Sequence, residues 1–283
     1  MKVVHTIAEL RDHLRAFESP SFVPTMGNLH AGHLQLVDQA KPLGDVCVAS
    51  IFVNRLQFAP HEDFDSYPRT FEADCAQLEA HGCDIFFAPN ERELYPQPQT
   101  FKITPDAALD SILEGEFRPG FFQGVATVVM KLFQCVFSHV RQEGHAVFGE
   151  KDFQQLMVIR HLVQQFAMPI QIHGGAIVRA EDGLALSSRN GYLSATERAE
   201  AVALSRTLRA MIAQVQQGSR DWAQLESEAI SSLKGRGWGP DYMTIRRRYD
   251  LQLPQSGDRE LVALGAARLG PARLIDNWSF DLD

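Results

Sequence analysis

Two histidines, His30 and His33, stand three residues apart in VPTMGNLHAGHLQLVDQA, between Gly27 and an amphipathic run that begins at Leu34. Imidazoles at that spacing can ligate a metal, donate to a phosphate, or simply decorate a helix end. A zinc-type site needs three or four ligands, and no neighbouring Cys, Asp or Glu supplies them at zinc spacing. Gly27 and Gly32 permit close backbone approach, and a helix starting here offers N–H groups and a positive dipole end. The stretch suits a phosphate.

Further stretches carry polar groups of related use. FGEKDFQQLMVIR places Gly149, Glu150, Lys151 and Asp152 before a helix with Leu156, Ile159, Leu162 and Val163 on its apolar face, and Gln155 lies one turn in. A Gly-Glu-Lys-Asp run is ordinarily a solvated turn, but a strand end makes it a candidate ligand loop. VRAEDGLALSSRNGYLS sets Ser187 and Ser188 beside Arg189, ordinary turn residues that can also form a mobile phosphate clamp through the guanidinium fork. SIFVNRLQF supplies Asn54 and Gln57, amides suited to a hydroxyl or carboxylate. RPGFFQGVATVVMKLF puts Arg118 before a Pro-Gly turn, and Lys131 reads as a helix residue whose stem is buried and whose head reaches water.

These groups must be positioned by the elements around them. Phe22–Pro24, Val46–Val53, Asp84–Ala88, His145–Phe148 and Ile170–His173 are short apolar runs of the kind that form buried parallel strands. Between them Leu34–Ala40, Thr70–His81, Val125–Phe137 and Asp152–Phe166 have helical periodicity. The alternation predicts a Rossmann-like doubly wound α/β sheet, with polar loops collecting at the carboxyl ends of its strands. After about Arg179 the pattern changes. Ser194 and Glu197 have capping-box spacing at the head of one long helix ending at Gly218, a second helix covers Asp221–Leu233, and the tail reads as a small antiparallel sheet with a turn at Leu269, Gly270 and Pro271. We divide the chain into residues 1–177, a nucleotide- and substrate-binding domain, and 178–283, a smaller α+β lid domain.

Composition narrows the class. The 283 residues are 45% hydrophobic and 22% charged, with a net charge of -8 that argues against a nucleic-acid surface or an anionic membrane. No apolar run reaches membrane-spanning length, and MKVVHTIAELRDHL is charged and helical in pattern, unlike a signal peptide, which points to the cytoplasm. Cys47, Cys75, Cys83 and Cys135 show no C-x-x-C pairing and are expected to be buried free thiols.

Taken in order, PTMG-x-LH-x-GH, SIFVN-x-x-QF, EDFDSYPRT, RPG-x-F-x-GVATVV, FGEKD-x-QQL-x-VIR and DGLA-x-SSRN resemble the pantoate–β-alanine ligase family, densely over residues 2–193 and weakly to RLIDN near the end. The resemblance implies ATP-dependent condensation of pantoate with β-alanine through a pantoyl adenylate, releasing AMP and pyrophosphate, with Mg2+, in a cytoplasmic homodimer. It implies an ATP site formed by Met26, Gly27, Asn28, Leu29, His30, Ala31, Gly32 and His33, by Gly149, Glu150, Lys151 and Asp152, and by Val178, Leu186, Ser187, Ser188 and Arg189. By the same correspondence Gln57 and Gln155 hold pantoate, with Asn54 and Arg118 beside them. His30, His33, Lys151 and Arg189 carry the chemistry, with His33 at the position usually assigned as proton donor. Two other readings share the motifs: a related nucleotidyltransferase, which would keep the nucleotide on its product, and a diverged nucleotide-binding homologue without turnover.

Several positions depart from the pattern. Arg55 stands where the family usually has proline, adding charge beside Gln57. Ala31 replaces glutamate, Phe121 histidine, Leu186 methionine and Phe153 tyrosine, while Ala176 and Ile177 replace a Pro-Thr pair. No magnesium ligand is assigned; Glu72 and Asp74, after YPRT, read as solvated charges on a helix surface.

Overall fold

The structure, a computed structural model, describes residues 1–59, 62 and 64–282, so Asp63 of the EDFDSYPRT tract lies outside the described residues. The chain divides into two compact units, Met1–Glu150 with Gln155–Ala176, and Lys151–Gln154 with Ile177–Asp283.

The first unit is built on parallel strands β1 (Lys2–Val4), β2 (Pro20–Thr25), β3 (Val46–Ile51), β4 (Ile85–Phe87), β5 (Gly144–Gly149) and β6 (Ile170–Gly175). Their order is β1-β4-β3-β2-β5-β6. Winding reverses between β2 and β5, so the loops that leave these two neighbours flank the crevice where such sheets bind ligands. Successive strand residues point to opposite faces, and both faces are apolar. Phe22, Val46, Val48, Ile85, Phe87, Ala146 and Phe148 enter one core, and Val23, Cys47, Ala49, Phe86 and Val147 the other.

Helices α1 (Ile7–Leu14), α2 (Ala31–Ala40), α3 (Phe71–Ala80) and α7 (Phe121–Val136) cover those faces, as does α8 (Phe153–Gln165) from Gln155 onward. Leu34, Val37 and Leu78 close one side, while Leu10, Leu14, Phe133 and Ile159 close the other. One-turn helices α4 (Glu91–Leu94), α5 (Ala107–Asp110) and α6 (Glu114–Phe117) lie between α3 and α7 in the chain. Every expected strand is present. The N-terminus corrects the helical reading: Lys2–Val4 pair in parallel with Ile85–Phe87, and the helix begins only at Ile7 behind a Thr6–Glu9 capping box.

In the second unit α9 (Ala195–Glu200), α10 (Val202–Gln216) and α11 (Trp222–Gly235) accompany the antiparallel strands β7 (Gly239–Arg247), β8 (Glu260–Leu269) and β9 (Ala272–Asp281), in the order β7-β8-β9. Ser194 Oγ accepts from the Glu197 N–H at 3.3 Å and Glu197 Oε2 accepts from the Ser194 N–H at 2.8 Å, which is the expected capping box. The single long helix is interrupted at Ala201. That residue keeps helical dihedrals and its N–H still reaches Glu197 O at 2.8 Å, so the break is one slack turn rather than a loop. Leu204, Leu208, Leu225, Leu233, Ile245 and Ala263 are among the buried side chains of this unit's own core.

All four cysteines are free thiols, and Cys75 alone is only partly buried. Burial pushes the Cys135 thiol up to about 11, as expected of an inert core cysteine. No helix among the described residues is long and apolar enough to cross a membrane.

Candidate active site

The carboxyl end of β2 delivers Met26 to His30. Gly27 has φ +83° and Asn28 φ +52°, so two successive residues take the left-handed region before the chain enters α2. A Cβ on Gly27 would sit 2.9 Å from Ile51 Cγ2, so the turn excludes any larger residue. Asn is among the few side-chain-bearing residues that tolerate that backbone.

His30 is the N-cap of α2, and the cap is reciprocal. Its Nδ1 accepts from the Gly32 N–H at 3.1 Å, and the His33 Nδ1 lies 3.4 Å from the His30 N–H that donates to it. The two rings lie 4.0 Å apart at 33°. A nitrogen that accepts from an N–H carries no proton, so in both neutral rings the proton is on Nε2. The same bonds change what the turn offers an anion. The N–H groups of Gly27, Asn28 and Leu29 donate to Thr25 Oγ1 and to the Asp74 carboxylate, while those of His30 and Gly32 donate to imidazoles. Sequence reading offers these backbone groups to a phosphate; the structure satisfies them internally and leaves Nε2 as the protonated nitrogen of each ring.

Beyond β3, Asn54 is 1% exposed and fully engaged. Its Nδ2 donates to Gln57 Oε1 and to Gly124 O, each at 3.1 Å, and its Oδ1 accepts from the Tyr95 hydroxyl at 3.0 Å. Burial, with Glu91 nearby, pushes the Tyr95 phenol up, so it stays a donor. Because Gln57 Oε1 is an acceptor in this chain, its Nε2 is the end directed elsewhere, 3.1 Å from Met26 Sδ. A thioether is a weak acceptor that a substrate oxygen readily replaces. Helix α7 passes so close that a Cβ on Gly124 would lie 2.2 Å from Leu56 O, and that contact fixes the turn carrying Gln57.

Arg118 is only 12% exposed and grips Glu62 in a two-pronged pair, Nε–Oε1 2.7 Å and Nη2–Oε2 2.9 Å, while stacking 3.7 Å over Phe121. Its Nη2 also reaches Gln57 O at 3.4 Å. Most of its charge is committed to Glu62, so it braces the Gln57 turn from behind. Arg55 is engaged by other partners: Nε lies 3.2 Å from Glu91 Oε1 and the guanidinium sits 3.9 Å from the Phe64 ring centre. Lys131 reaches Gln99 Oε1 at 2.9 Å over the Tyr95 ring, so its head ends in a protein contact.

Gly149 ends β5 and Glu150 opens a short 3₁₀ turn, Glu150–Asp152, at the same edge of the sheet as the histidine turn. Gln155, in the first turns of α8, is half-buried. The remaining candidates belong to the second unit. Lys151 Nζ lies 3.4 Å from Asp152 Oδ2, and Asn277 Nδ2 donates to Lys151 O at 2.9 Å. Val178 and Leu186 face each other across a hairpin, joined by the Leu186 N–H to Val178 O bond at 2.9 Å. Ser187 caps the turn Ser188–Tyr192 by accepting the Arg189 N–H at 3.3 Å.

Two residues of structural weight escaped sequence reading. Arg179 forks onto Asp276 at 2.8 and 2.9 Å and lies 3.9 Å over Trp278, tying the hairpin root to β9. Asp74, read as a solvated surface charge, is 1% exposed; Glu72 is exposed as expected.

The model of the pantoate-beta-alanine ligase family matches residues 2–279. The chain belongs to the pantoate–β-alanine ligase family. It is 62% identical over 283 residues to a pantothenate synthetase of Paracidovorax citrulli, covering 99% of this chain and 100% of that one. A pantothenate synthetase of Verminephrobacter eiseniae is 61% identical over 282 residues, with 99% and 100% covered. Among solved structures, a pantothenate synthetase from Thermus thermophilus superposes with a TM-score of 0.91 at 43% identity, covering 98% of this chain and 99% of that one. A pantoate-beta-alanine ligase from Francisella tularensis, complexed with beta-gamma ATP and beta-alanine, gives 0.80 at 31%, covering 98% and 97%. Arg55, expected from the resemblance to be a departure, is held by Glu91 and Phe64.

Proposed function

We propose that this chain joins pantoate to β-alanine using ATP, releasing AMP and pyrophosphate. The observation that carries the reading is the reciprocally capped His30–His33 pair, which sets two Nε2–H donors at the switch point of the sheet. In the first step a pantoate carboxylate oxygen attacks the α-phosphorus, a P–O bond forms, and the bond to pyrophosphate breaks. Charge grows on phosphate oxygens, and fixed donors stabilise that growth without reorganising. His30 and His33 supply those donors, and Lys151 and Arg189 add positive charge. Gln57 and Gln155 hold pantoate, the Gln57 amide presenting its NH₂ because Asn54 occupies its oxygen. In the second step the neutral amine of β-alanine attacks the acyl carbonyl and AMP leaves, a step that needs proximity and exclusion of water more than a strong base.

Among the described residues no three His, Cys, Asp or Glu side chains converge as a metal cage. These residues fit an ion held mainly by nucleotide phosphates and water, as Mg2+ commonly is, which when bound would neutralise phosphate charge. The family resemblance further supports a cytoplasmic homodimer; sedimentation of the purified protein tests the dimer and cell fractionation the location.

Incubation with ATP, Mg2+, pantoate and β-alanine should give AMP, pyrophosphate and pantothenate in equal amounts. Pantoate without β-alanine should support exchange of pyrophosphate into ATP. A product that retains the nucleotide would establish a nucleotidyltransferase instead, and failure of both assays would defeat the reading.

A further inference from the structure

Asp74 lies in the first turn of α3, where an acid normally complements the helix dipole from the solvent side. Here it is 1% exposed and turned toward the histidine loop. Its Oδ2 accepts the Asn28 N–H at 2.9 Å and the Thr70 hydroxyl at 3.0 Å, and its Oδ1 accepts the Leu29 N–H at 2.8 Å. Thr70 occupies the N-cap position of α3 but makes no side-chain cap bond. Its hydroxyl donates to Asp74 instead of capping the helix. The carboxylate also packs under Gly27, where a Cβ would come within 3.2 Å of Oδ2.

We propose that Asp74 is a positioning residue for nucleotide binding. It pins the two N–H groups that immediately precede His30, one of them on a left-handed Asn28, and so sets the direction in which the imidazole pair leaves the sheet. The proposal rests on the nucleotide reading of that pair. A magnesium ligand is the rival role for an acid at this place. Both oxygens already accept from protein donors and the residue is 1% exposed, so a cation would have to open the loop to reach the lone pair left on Oδ1.

Asp74→Asn is nearly isosteric but can accept through one oxygen only, facing an NH₂ against the other N–H. Thr70→Val removes the hydroxyl alone. Hydrogen bonds to charged groups are strong enough that Asp74→Asn should raise the Kd for ATP, titrated alone by calorimetry, about tenfold or more. Thr70→Val should raise it about threefold. In turnover the loss should appear in kcat/KM for ATP, with the pantoate KM unchanged and no recovery on raising Mg2+. ATP binding as in the parent by folded Asp74→Asn would overturn the proposal, and recovery with excess Mg2+ would make Asp74 a metal ligand instead. If Asp74→Asn does not fold, unchanged ATP affinity in Thr70→Val overturns it alone. A parent protein that binds ATP but forms no AMP would defeat the ligase reading and leave this test standing.

Discussion

The rings of His30 and His33 lie 4.0 Å apart, and each accepts a main-chain N–H on Nδ1, so one pair of side chains both starts a helix and fixes its own tautomers.

Helix start and chemistry can therefore be separated by substitution. Asn is a favourable N-cap and Gln a favourable N3 residue, so His30→Asn and His33→Gln should unfold within about 1 kcal/mol of the parent. Each removes an Nε2–H donor, and single-turnover adenylate formation should slow about 10²–10³-fold. Full activity in either variant would remove that ring from the chemistry.

Arg55→Pro should be nearly silent. Arg55 is the first residue of the 3₁₀ turn Arg55–Gln57, and Asn54 before it has φ -87° and ψ 107°, a backbone proline accepts. The pair with Glu91 is exposed and worth about 0.2–1 kcal/mol, which the stiffening by proline offsets by about the same amount. We expect kcat/KM for pantoate and β-alanine within about twofold of the parent, since the guanidinium does not reach Gln57. A changed preference among β-alanine analogues would show that Arg55 shapes the pocket.

Breaking the Arg118–Glu62 pair should be costly. The two side chains are 12% and 16% exposed, and removing one partner strands the other charge. Arg118→Gln should destabilise the protein by about 3 kcal/mol in urea unfolding. The pantoate KM should rise as well, because the Nη2 contact to the Gln57 carbonyl is lost. Loss of stability with an unchanged pantoate KM would confine Arg118 to the scaffold.

Stability should fall on mild acidification through the β5–β6 histidines. His145 Nδ1 lies 3.2 Å from His173 Nε2, and burial, then His145, lowers the His173 pKa, with Glu143 opposing and Arg160 adding to the shift. With the folded-state value below 6.5, the unfolded chain binds more protons as pH drops past that point. The contribution is therefore level above about pH 6.5 and is lost progressively below it, toward the folded pKa. His173→Gln should flatten this part of the Tm profile; an unaltered slope would place the sensitivity elsewhere.

The buried strands were legible because residues covered on both faces are mostly apolar, a pattern that Val46–Ile51 shows but for Ser50 and Gly144–Gly149 but for His145. Lys2–Val4 was not, since three residues at a sheet edge are too few to outweigh the helical pattern that follows. Nothing in ERAEAV marks the slack at Ala201. The motif residues announced themselves by type and spacing, and the Gly27, His30 and His33 turn follows from them. Asp74 and Glu62 did not, because their meaning lies in partners far along the chain, Asn28 and Leu29 for one and Arg118 for the other.

The adjacency of β2 and β5 has a consequence for how the protein is made. Ser21 pairs with His145, so the histidine turn and the Gly149–Glu150 turn become neighbours only by closing a loop of roughly 120 residues, and such long-range parallel pairings form late. A nascent chain that has not yet emerged past β5 carries both histidines and cannot hold them beside their facing turn. The two turns of this unit should therefore come together abruptly during synthesis, when that strand docks, rather than gradually as the chain lengthens.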